Sequence, residues 1–280
     1  MHVDVRGVRL FFDTEGPELV ADGPQLRRKR SLVVLHGGPG VDHSAYREMG
    51  HRLRDEFHVV YLDHRGNGRS DRGTPADWTL SSWAADVHAF IDALGLDRPL
   101  VLGHSFGGYV AQAYASAYPG HAGGMILAGT APRFVLARCL EVVRRLGGAP
   151  AAAVAERFFA RPRDTFAEYL AHCYPLYGTT PPDPVAIART VIQVDVADHF
   201  VGGEMHTFDL RADLGRVDVP VLILSGGNDL IATPQDIEEL RAALPAELVT
   251  HVHFADAGHE MLRDRPREAE AAILAHAQRA

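Results

Sequence analysis

The chain has 280 residues, 46% of them hydrophobic and 23% charged, with a formal net charge of −8. These values are typical of a globular protein with one large domain, or with a core that carries an inserted subdomain. The negative charge, without a long cluster of basic residues, argues against nucleic acid as a partner. No apolar run approaches the ~20 residues that span a bilayer, and the N-terminal residues lack the pattern of a signal peptide.

The chain contains two cysteines, Cys139 and Cys173, and neither has the spacing of a metal ligand. Two thiols in a chain of this size are expected to be reduced, as in an intracellular protein. We therefore expect a cytoplasmic protein that acts on a small molecule and does not bind a membrane.

Strand-like and helix-like patterns alternate along most of the chain. Alternating residues at 3–5 and 8–13, on either side of a turn at Arg6-Gly7, predict a hairpin. The segments that predict the other strands are residues 31–35, 58–62, 100–102, 125–128, 219–224 and 248–254. The patterns that predict core helices are residues 45–54, 80–94, 109–115, 234–244 and 266–277. The stretch 15–30, which contains Gly and Pro between charges, is predicted to be a surface loop. This alternation predicts an α/β protein whose mostly parallel sheet has helices on both faces.

A long central segment differs from this pattern. It contains only helical patterns, at residues 135–146, 151–159, 166–174 and 185–196, and no convincing strand. We therefore predict a core over residues 1–130, a helical cap over 131–213, and the second part of the core over 214–280.

A Gly-x-Ser-x-Gly motif lies between a predicted strand and the helix that follows it. Ser105 is its serine, and Gly103 and Gly107 are its glycines. A nucleophile elbow requires this order, because its serine occupies a strained strand-to-helix turn with little room for neighbouring side chains. The motif therefore predicts that Ser105 is a nucleophile rather than an ordinary turn serine.

A serine hydroxyl needs an adjacent base to become a good nucleophile at neutral pH. Among the 16 histidines, His259 follows the last predicted strand, so we expect it at the sheet edge that carries Ser105. Asp229 follows the preceding strand, whereas the loop after residues 125–128 offers no carboxylate and Asp256 is close to His259 in sequence. The predicted triad is therefore Ser105, Asp229 and His259, in that chain order.

Acyl transfer also needs N–H groups directed at the developing oxyanion. The backbone N–H of Phe106, at the predicted start of a helix, is one expected donor. The other is expected from the glycine-rich loop after residues 31–35, with Gly38 as the first choice and Gly37 as the alternative. This loop lacks the Lys-Ser/Thr ending of a P-loop, which argues against phosphate binding.

These motifs together resemble the α/β-hydrolase superfamily over essentially the whole chain. The His-Gly-Gly-Pro-Gly motif at 36–40 and the Asp-His-Arg-Gly-Asn-Gly-Arg-Ser motif at 63–70 more narrowly resemble the proline iminopeptidase family. The resemblance implies an α/β-hydrolase fold with a helical cap over the triad. It also implies acidic cap residues that hold the free α-amino group of the substrate. Glu204 is the candidate position for such a residue, and a solvated loop carboxylate is the alternative for it.

The chain departs from the proline iminopeptidase family at three positions. It has His64, His104 and Phe106 where the family often has Gln, Gly and Trp, respectively. These departures concern peptidase specificity and leave serine hydrolysis intact.

The substrate is predicted to be a small ester, lactone or amide. Aromatic residues of the cap, including Phe134 and Phe158, are candidates to line an apolar lid over it, and a place in the cap core is the alternative for them. The predicted chemistry requires no metal and no organic cofactor. A carboxylesterase or lactonase without need of a free amine is the alternative function, and a non-catalytic ligand-binding protein of the same fold is a remote one.

Overall fold

The computed structural model describes residues 1–280 and contains ten strands and ten α-helices. The strands are β1 (His2–Val5), β2 (Val8–Glu15), β3 (Leu19–Asp22), β4 (Gln25–Arg28), β5 (Arg30–Leu35), β6 (Phe57–Leu62), β7 (Leu100–His104), β8 (Gly124–Ala128), β9 (Val221–Gly226) and β10 (Val249–Phe254). The helices are α1 (Arg47–Leu53), α2 (Leu80–Ala93), α3 (Phe106–Ala117), α4 (Leu136–Ala160), α5 (Pro162–His172), α6 (Pro184–Arg189), α7 (Val194–Val201), α8 (Pro234–Ala243), α9 (Met261–Asp264) and α10 (Pro266–Ala277).

Eight strands form one sheet in the order β1-β2-β6-β5-β7-β8-β9-β10. The pairs β1–β2 and β2–β6 are antiparallel, and all the other pairs in the sheet are parallel. Along β5, Leu32 and Val34 pack in one hydrophobic cluster while Val33 and Leu35 pack in another. Because side chains alternate between the two faces of a strand, both faces of the sheet are buried. The predicted mostly parallel sheet with helices on both faces is confirmed.

The order of the strands determines where a ligand can bind. β5 lies between β6 and β7, so the chain runs toward one sheet edge after β5 and toward the other from β7 onward. Ligands of such sheets bind at this reversal, beyond the carboxyl ends of the strands. The loops that follow β5, β7, β9 and β10 all begin at the carboxyl ends of their strands, on this side of the sheet.

Two segments differ from the sequence-based expectation. The predicted surface loop 15–30 contains a separate antiparallel hairpin of β3 and β4. Most of its side chains are exposed, so the strands carry little apolar alternation to reveal them. The predicted helix 185–196 is two helices, α6 and α7. The chain leaves the helical conformation at Thr190, where ψ is 124°, and stays non-helical as far as Gln193, whose N–H donates to the carbonyl oxygen of Gly40 at 2.7 Å.

The segment between β8 and β9 contains helices α4 to α7 and no strand. Two predicted helices, 135–146 and 151–159, are parts of α4, which bends at Gly148, where φ is 78°. The cap boundaries at 131 and 213 stay predictions. No helix of the chain is both long enough and apolar enough to cross a bilayer.

Candidate active site

Ser105 lies at the turn between β7 and α3, in an unusual backbone conformation. Its φ is 55° and its ψ is −122°, outside the regions that non-glycine residues commonly occupy. Its N–H donates to the carbonyl oxygen of Ala128 at 3.0 Å, which ties the turn to the end of β8. Such strain persists only where the surroundings enforce it, and it is common at functional sites.

The glycines around Ser105 are required by close packing. A Cβ atom at Gly103 would lie 2.4 Å from the carbonyl oxygen of Gly107, and one at Gly107 would lie 2.1 Å from that of Leu35. Real Cβ contacts are not this short, so any larger residue would force the strand and the helix apart. The two glycines therefore allow the sharp turn that the strained serine needs.

His259 and Asp229 form a buried pair. His259 Nδ1 lies 2.9 Å from Oδ1 and 3.0 Å from Oδ2 of Asp229. Oδ1 also accepts hydrogen bonds from the N–H groups of Ile231 (2.8 Å) and Ala232 (2.9 Å), which fix the carboxylate. The alternative acid, Asp256, is exposed and pairs instead with Arg265.

The imidazole of His259 lies close to the turn that carries Ser105. The carbonyl oxygen of Ala128 accepts from the Ser105 N–H, and Gly129 follows Ala128 in the chain. A Cβ atom at Gly129 would lie only 3.1 Å from His259 Nδ1. The ring of His104 is 4.9 Å from that of His259. No hydrogen bond joins His259 Nε2 to Ser105, and Nε2 is buried without a partner in the chain. In enzymes without bound substrate such bonds are often long and tighten only in the complex.

Two opposing effects set the pKa of His259. Burial lowers this pKa, but the negative charge of Asp229 and its hydrogen bond raise it more, so that the pKa lies above the ordinary value of 6.5. An imidazole paired with a carboxylate in this way is a stronger base toward a nearby hydroxyl.

The two N–H groups expected to hold an oxyanion make no competing hydrogen bond. Phe106 is the first residue of α3, so its N–H has no partner inside the helix. The N–H of Gly38 makes no hydrogen bond within the chain, whereas that of Gly37 donates to Tyr46 Oη at 2.8 Å. The position of Gly37 brings the loop against Ser105, since a Cβ there would lie 3.3 Å from Ser105 Cβ. The geometry thus favours Gly38 over Gly37 as the donor.

A buried hydrogen-bond chain joins the loops after β5 and β10 through the residue before Ser105. Tyr46 Oη accepts from the Gly37 N–H and lies 2.8 Å from His104 Nδ1, and His104 Nε2 lies 3.0 Å from the carbonyl oxygen of His259. A carbonyl only accepts, so Nε2 carries the proton and Nδ1 accepts from the tyrosine. Burial also lowers the pKa of His104, which favours this neutral tautomer. This chain fixes both loops beside Ser105.

The helical segment between β8 and β9 directly contacts the loop that carries His259. The ring of Tyr177 lies edge-on to the imidazole, with 5.1 Å between centroids. The carboxylate of Asp264 accepts from the N–H groups of Gly258 (3.0 Å), Thr179 (2.9 Å) and Thr180 (2.8 Å). Asp264 therefore attaches the chain after Tyr177 to the loop that carries His259.

The three residues predicted to bind substrate lie in the helical segment or at its ends. Glu204 Oε2 accepts from the N–H of Leu80 at 2.9 Å, at the start of α2, so this carboxylate already has a structural partner. Phe134 packs 4.8 Å from Phe159, and Phe158 stacks on Tyr169 at 3.9 Å. Both phenylalanines are buried among other aromatic rings, and their roles, like that of Glu204, stay predictions.

Sequence reasoning missed Tyr46, His104 and Asp264 as positioning residues. None lies in a motif that specifies such a role, and each acts through contacts with residues far away in the chain. The sequence gives a signal only at His104, which departs from the family pattern, and this departure does not by itself indicate a positioning role. Phe106, which stands where the proline iminopeptidase family often has Trp, packs against other aromatic rings. Its ring lies 4.8 Å from that of Trp83 and 5.2 Å from that of Phe200.

Comparisons with known proteins show which fold family the chain belongs to. A family model described as the alpha/beta hydrolase fold matches residues 30–266. The protein named "Putative carbamate hydrolase RutD" from Pseudomonas syringae pv. syringae is 28% identical over 237 residues, which cover 80% of this chain and 83% of the relative. The protein named "Proline iminopeptidase PfmaB" from Pestalotiopsis fici is 26% identical over 249 residues, which cover 84% of each chain.

A solved structure shares the fold over almost its full length. The crystal structure of a proline iminopeptidase from Mycobacterium smegmatis superposes with a TM-score of 0.76, at 23% identity, and covers 98% of this chain and 95% of that one. The resemblance predicted from the motifs is thereby confirmed.

Proposed function

The chain belongs to the α/β-hydrolase fold family and is an α/β-fold hydrolase, and from this premise we propose that it is a serine hydrolase with Ser105, His259 and Asp229 as its triad. The observation that carries the proposal is the buried pair of His259 and Asp229 beside a serine in a strained turn. In such a triad the carboxylate orients the imidazole and stabilises its cation, and the imidazole activates the serine.

The reaction proceeds in two acyl-transfer steps. Ser105 Oγ attacks the substrate carbonyl carbon while His259 Nε2 takes the hydroxyl proton, and the N–H groups of Gly38 and Phe106 hold the oxyanion. His259 then gives its proton to the leaving group, which leaves an acyl group on Ser105. Water repeats the sequence and releases the acid. Each oxyanion donor contributes about 2.7–4 kcal/mol to transition-state stabilisation in this kind of site.

We propose small neutral acyl compounds as the substrates. Esters, lactones, amides and carbamates share the carbonyl carbon that the serine attacks. An aminopeptidase would need a carboxylate in the pocket for the substrate ammonium group, because a buried unpaired charge is costly. The carboxylate of Glu204 is used at the start of α2, which favours an esterase or lactonase without need of a free amine. A proline iminopeptidase-like activity, suggested by the relatives, is the second candidate.

Replacement of Ser105 by Ala tests the triad. The variant should lose hydrolysis of a short-chain nitrophenyl ester by a factor on the order of 10^4 or more, because the nucleophile is gone while the fold is kept. Steady-state kinetics and a thermal unfolding curve measure the two properties.

Ser116→Ala is the matched control, since Ser116 is a buried serine in α3, the helix that Ser105 precedes, and its hydroxyl has no partner. It should keep nearly full activity. Activity of Ser105→Ala within tenfold of the unmodified enzyme would show that another group is the nucleophile.

Comparison of a proline arylamide with the matching N-blocked ester separates the two candidate functions, because only the peptidase requires the free amine.

A further inference from the structure

Two histidines and an aspartate form a surface cluster at the far end of α3 from Ser105. His88 and Asp92 lie four positions apart on α2, and His121 lies in the turn that follows α3. One nitrogen or oxygen atom from each of the three lies within 4.8 Å of the others. We propose that this cluster, named the His88 site after its first residue, binds a divalent transition-metal ion, with Zn²⁺ as the best fit.

The distances in the His88 site suit one small ion. His88 Nδ1 is 3.5 Å from Asp92 Oδ2, and His121 Nε2 is 3.1 Å from Asp92 Oδ1. Zinc bonds to nitrogen and oxygen are about 2.0–2.1 Å long, so neighbouring ligands of a tetrahedral ion lie about 3.3 Å apart. The two observed separations lie on either side of this value, and they involve different oxygens of Asp92. The three ligand atoms lie within 4.8 Å of one another, so the side chains must move closer by up to about 1.5 Å to hold the ion.

Neighbouring tyrosines hold both imidazole rings in position. Tyr114 is fully buried, and its hydroxyl lies 2.7 Å from His121 Nδ1, so Nε2 of that ring is directed at Asp92. His88 stacks on the ring of Tyr118, with 4.0 Å between centroids. A hydroxyl can donate or accept, so the bond to Tyr114 persists when Nδ1 carries the ring proton and Nε2 is free to bind metal. Contacts of this kind orient the histidine ligands in known metal sites.

The charge and chemistry of the donors favour a transition metal. Metal binding needs neutral imidazole, which is the form that an ordinary histidine mostly has at neutral pH. Two imidazoles and one carboxylate are a common donor set for Zn²⁺, whereas Ca²⁺ and Mg²⁺ prefer oxygen ligands alone. Asp92 is largely exposed, so water can occupy the remaining position of a four-coordinate ion.

A metal in the His88 site has a structural effect and takes no part in hydrolysis. It would join α2 to the turn between α3 and β8. Ser105 precedes α3 and His121 follows it, so the 12 residues of that helix separate the two sites by about 18 Å. Because the unfolded chain does not bring the three ligands together, binding stabilises the folded state by mass action.

Thermal unfolding with ZnCl₂ or with EDTA tests the proposal on the full chain. Zn²⁺ in excess should raise the Tm of the unmodified protein on the order of 5 °C above its value in EDTA. The variants H88A and H121A should lose this rise, and Asp92→Asn should bind Zn²⁺ at least tenfold more weakly by titration calorimetry. The matched control is His172→Ala, which removes an exposed histidine outside the site and should keep the full rise.

The absorption spectrum of bound cobalt distinguishes metal ligands from residues that only stabilise the fold. Co²⁺ should give the visible absorption of a four-coordinate ion with the unmodified protein and with H172A, but not with H88A. The unfolding curves in EDTA show whether each variant still folds. If H121A does not fold, H88A and Asp92→Asn are enough to test the proposal. No Tm rise in the unmodified protein, or a rise that persists in both H88A and Asp92→Asn, would overturn the proposal.

Discussion

At the scale of single residues, the reactivity proposed for Ser105 depends on the charge of Asp229. Burial alone would lower the pKa of His259, and the adjacent carboxylate reverses that effect. The base is therefore protonated up to a higher pH than an ordinary histidine. As pH rises through this raised pKa, His259 loses its proton and becomes able to accept that of the serine.

The pH dependence of kcat/KM should report this effect. We expect kcat/KM to rise with pH through a pKa above 6.5 in the unmodified enzyme. Asp229→Asn removes the charge, so this limb should move to lower pH while kcat falls by ~10^4, because the carboxylate that holds the imidazole in its productive tautomer is lost. A pH profile of ester hydrolysis for both enzymes measures the shift. An unmoved limb in the variant would contradict the role given to Asp229.

The three proposed triad residues could be predicted from the sequence because each follows an apolar strand, and one lies in a local motif. The choice between Gly37 and Gly38 could not be made in that way. It depends on whether an N–H is already used, and the acceptor, Tyr46, belongs to a different element.

At the scale of elements, the loops after β5 and β10 are held together by one buried chain of hydrogen bonds. Tyr46 and His104 supply its side chains, and Gly37 and His259 supply its backbone ends. Loss of either side chain leaves buried polar groups without partners, which costs about 1–3 kcal/mol of folding stability. The same loss loosens both loops beside Ser105.

A double-mutant cycle tests whether these residues act as one unit. Tyr46→Phe and His104→Ala should each lower the free energy of unfolding and kcat, and the double variant should lose less than the sum of the two. Urea unfolding and ester kinetics give both readouts. Tyr46→Phe combined with Ser116→Ala should be additive instead. Full additivity of Tyr46→Phe and His104→Ala would contradict the chain of hydrogen bonds.

The elements themselves were predictable to different degrees. The inner sheet strands, β5 to β9, follow from continuous apolar runs, whereas β1 and β2 follow from alternating ones. Helix α10 (Pro266–Ala277) has the predicted bounds. The break between α6 and α7 was not predictable, because a backbone hydrogen bond from Gln193 to Gly40 overrides the local helical preference. The hairpin of β3 and β4 was missed because exposed strands carry no apolar pattern.

At the scale of the whole molecule, buried neutral histidines make stability depend on pH. Burial lowers the pKa of His276 to about 4, and its Nε2 is buried without a partner. Between pH 6.5 and 4 the unfolded chain binds a proton at this site while the folded chain does not. Stability therefore falls as pH drops through this window.

Replacement of His276 by Leu should remove this contribution. The variant should lose less stability than the unmodified protein between pH 7 and pH 4.5, as measured by urea unfolding at the two values. His172→Leu, at an exposed histidine, should keep the original loss. An equal loss of stability in the two variants would contradict a neutral, buried His276.

The central claim is that Ser105 is activated by His259, and covalent labelling tests it most directly. A fluorophosphonate probe followed by peptide mass spectrometry should find one modification per chain, on Ser105, in the unmodified enzyme. His259→Ala should slow the labelling by orders of magnitude, and Ser105→Ala should not be labelled at all. Stoichiometric labelling of a different serine, or active hydrolysis without any labelling, would contradict the account.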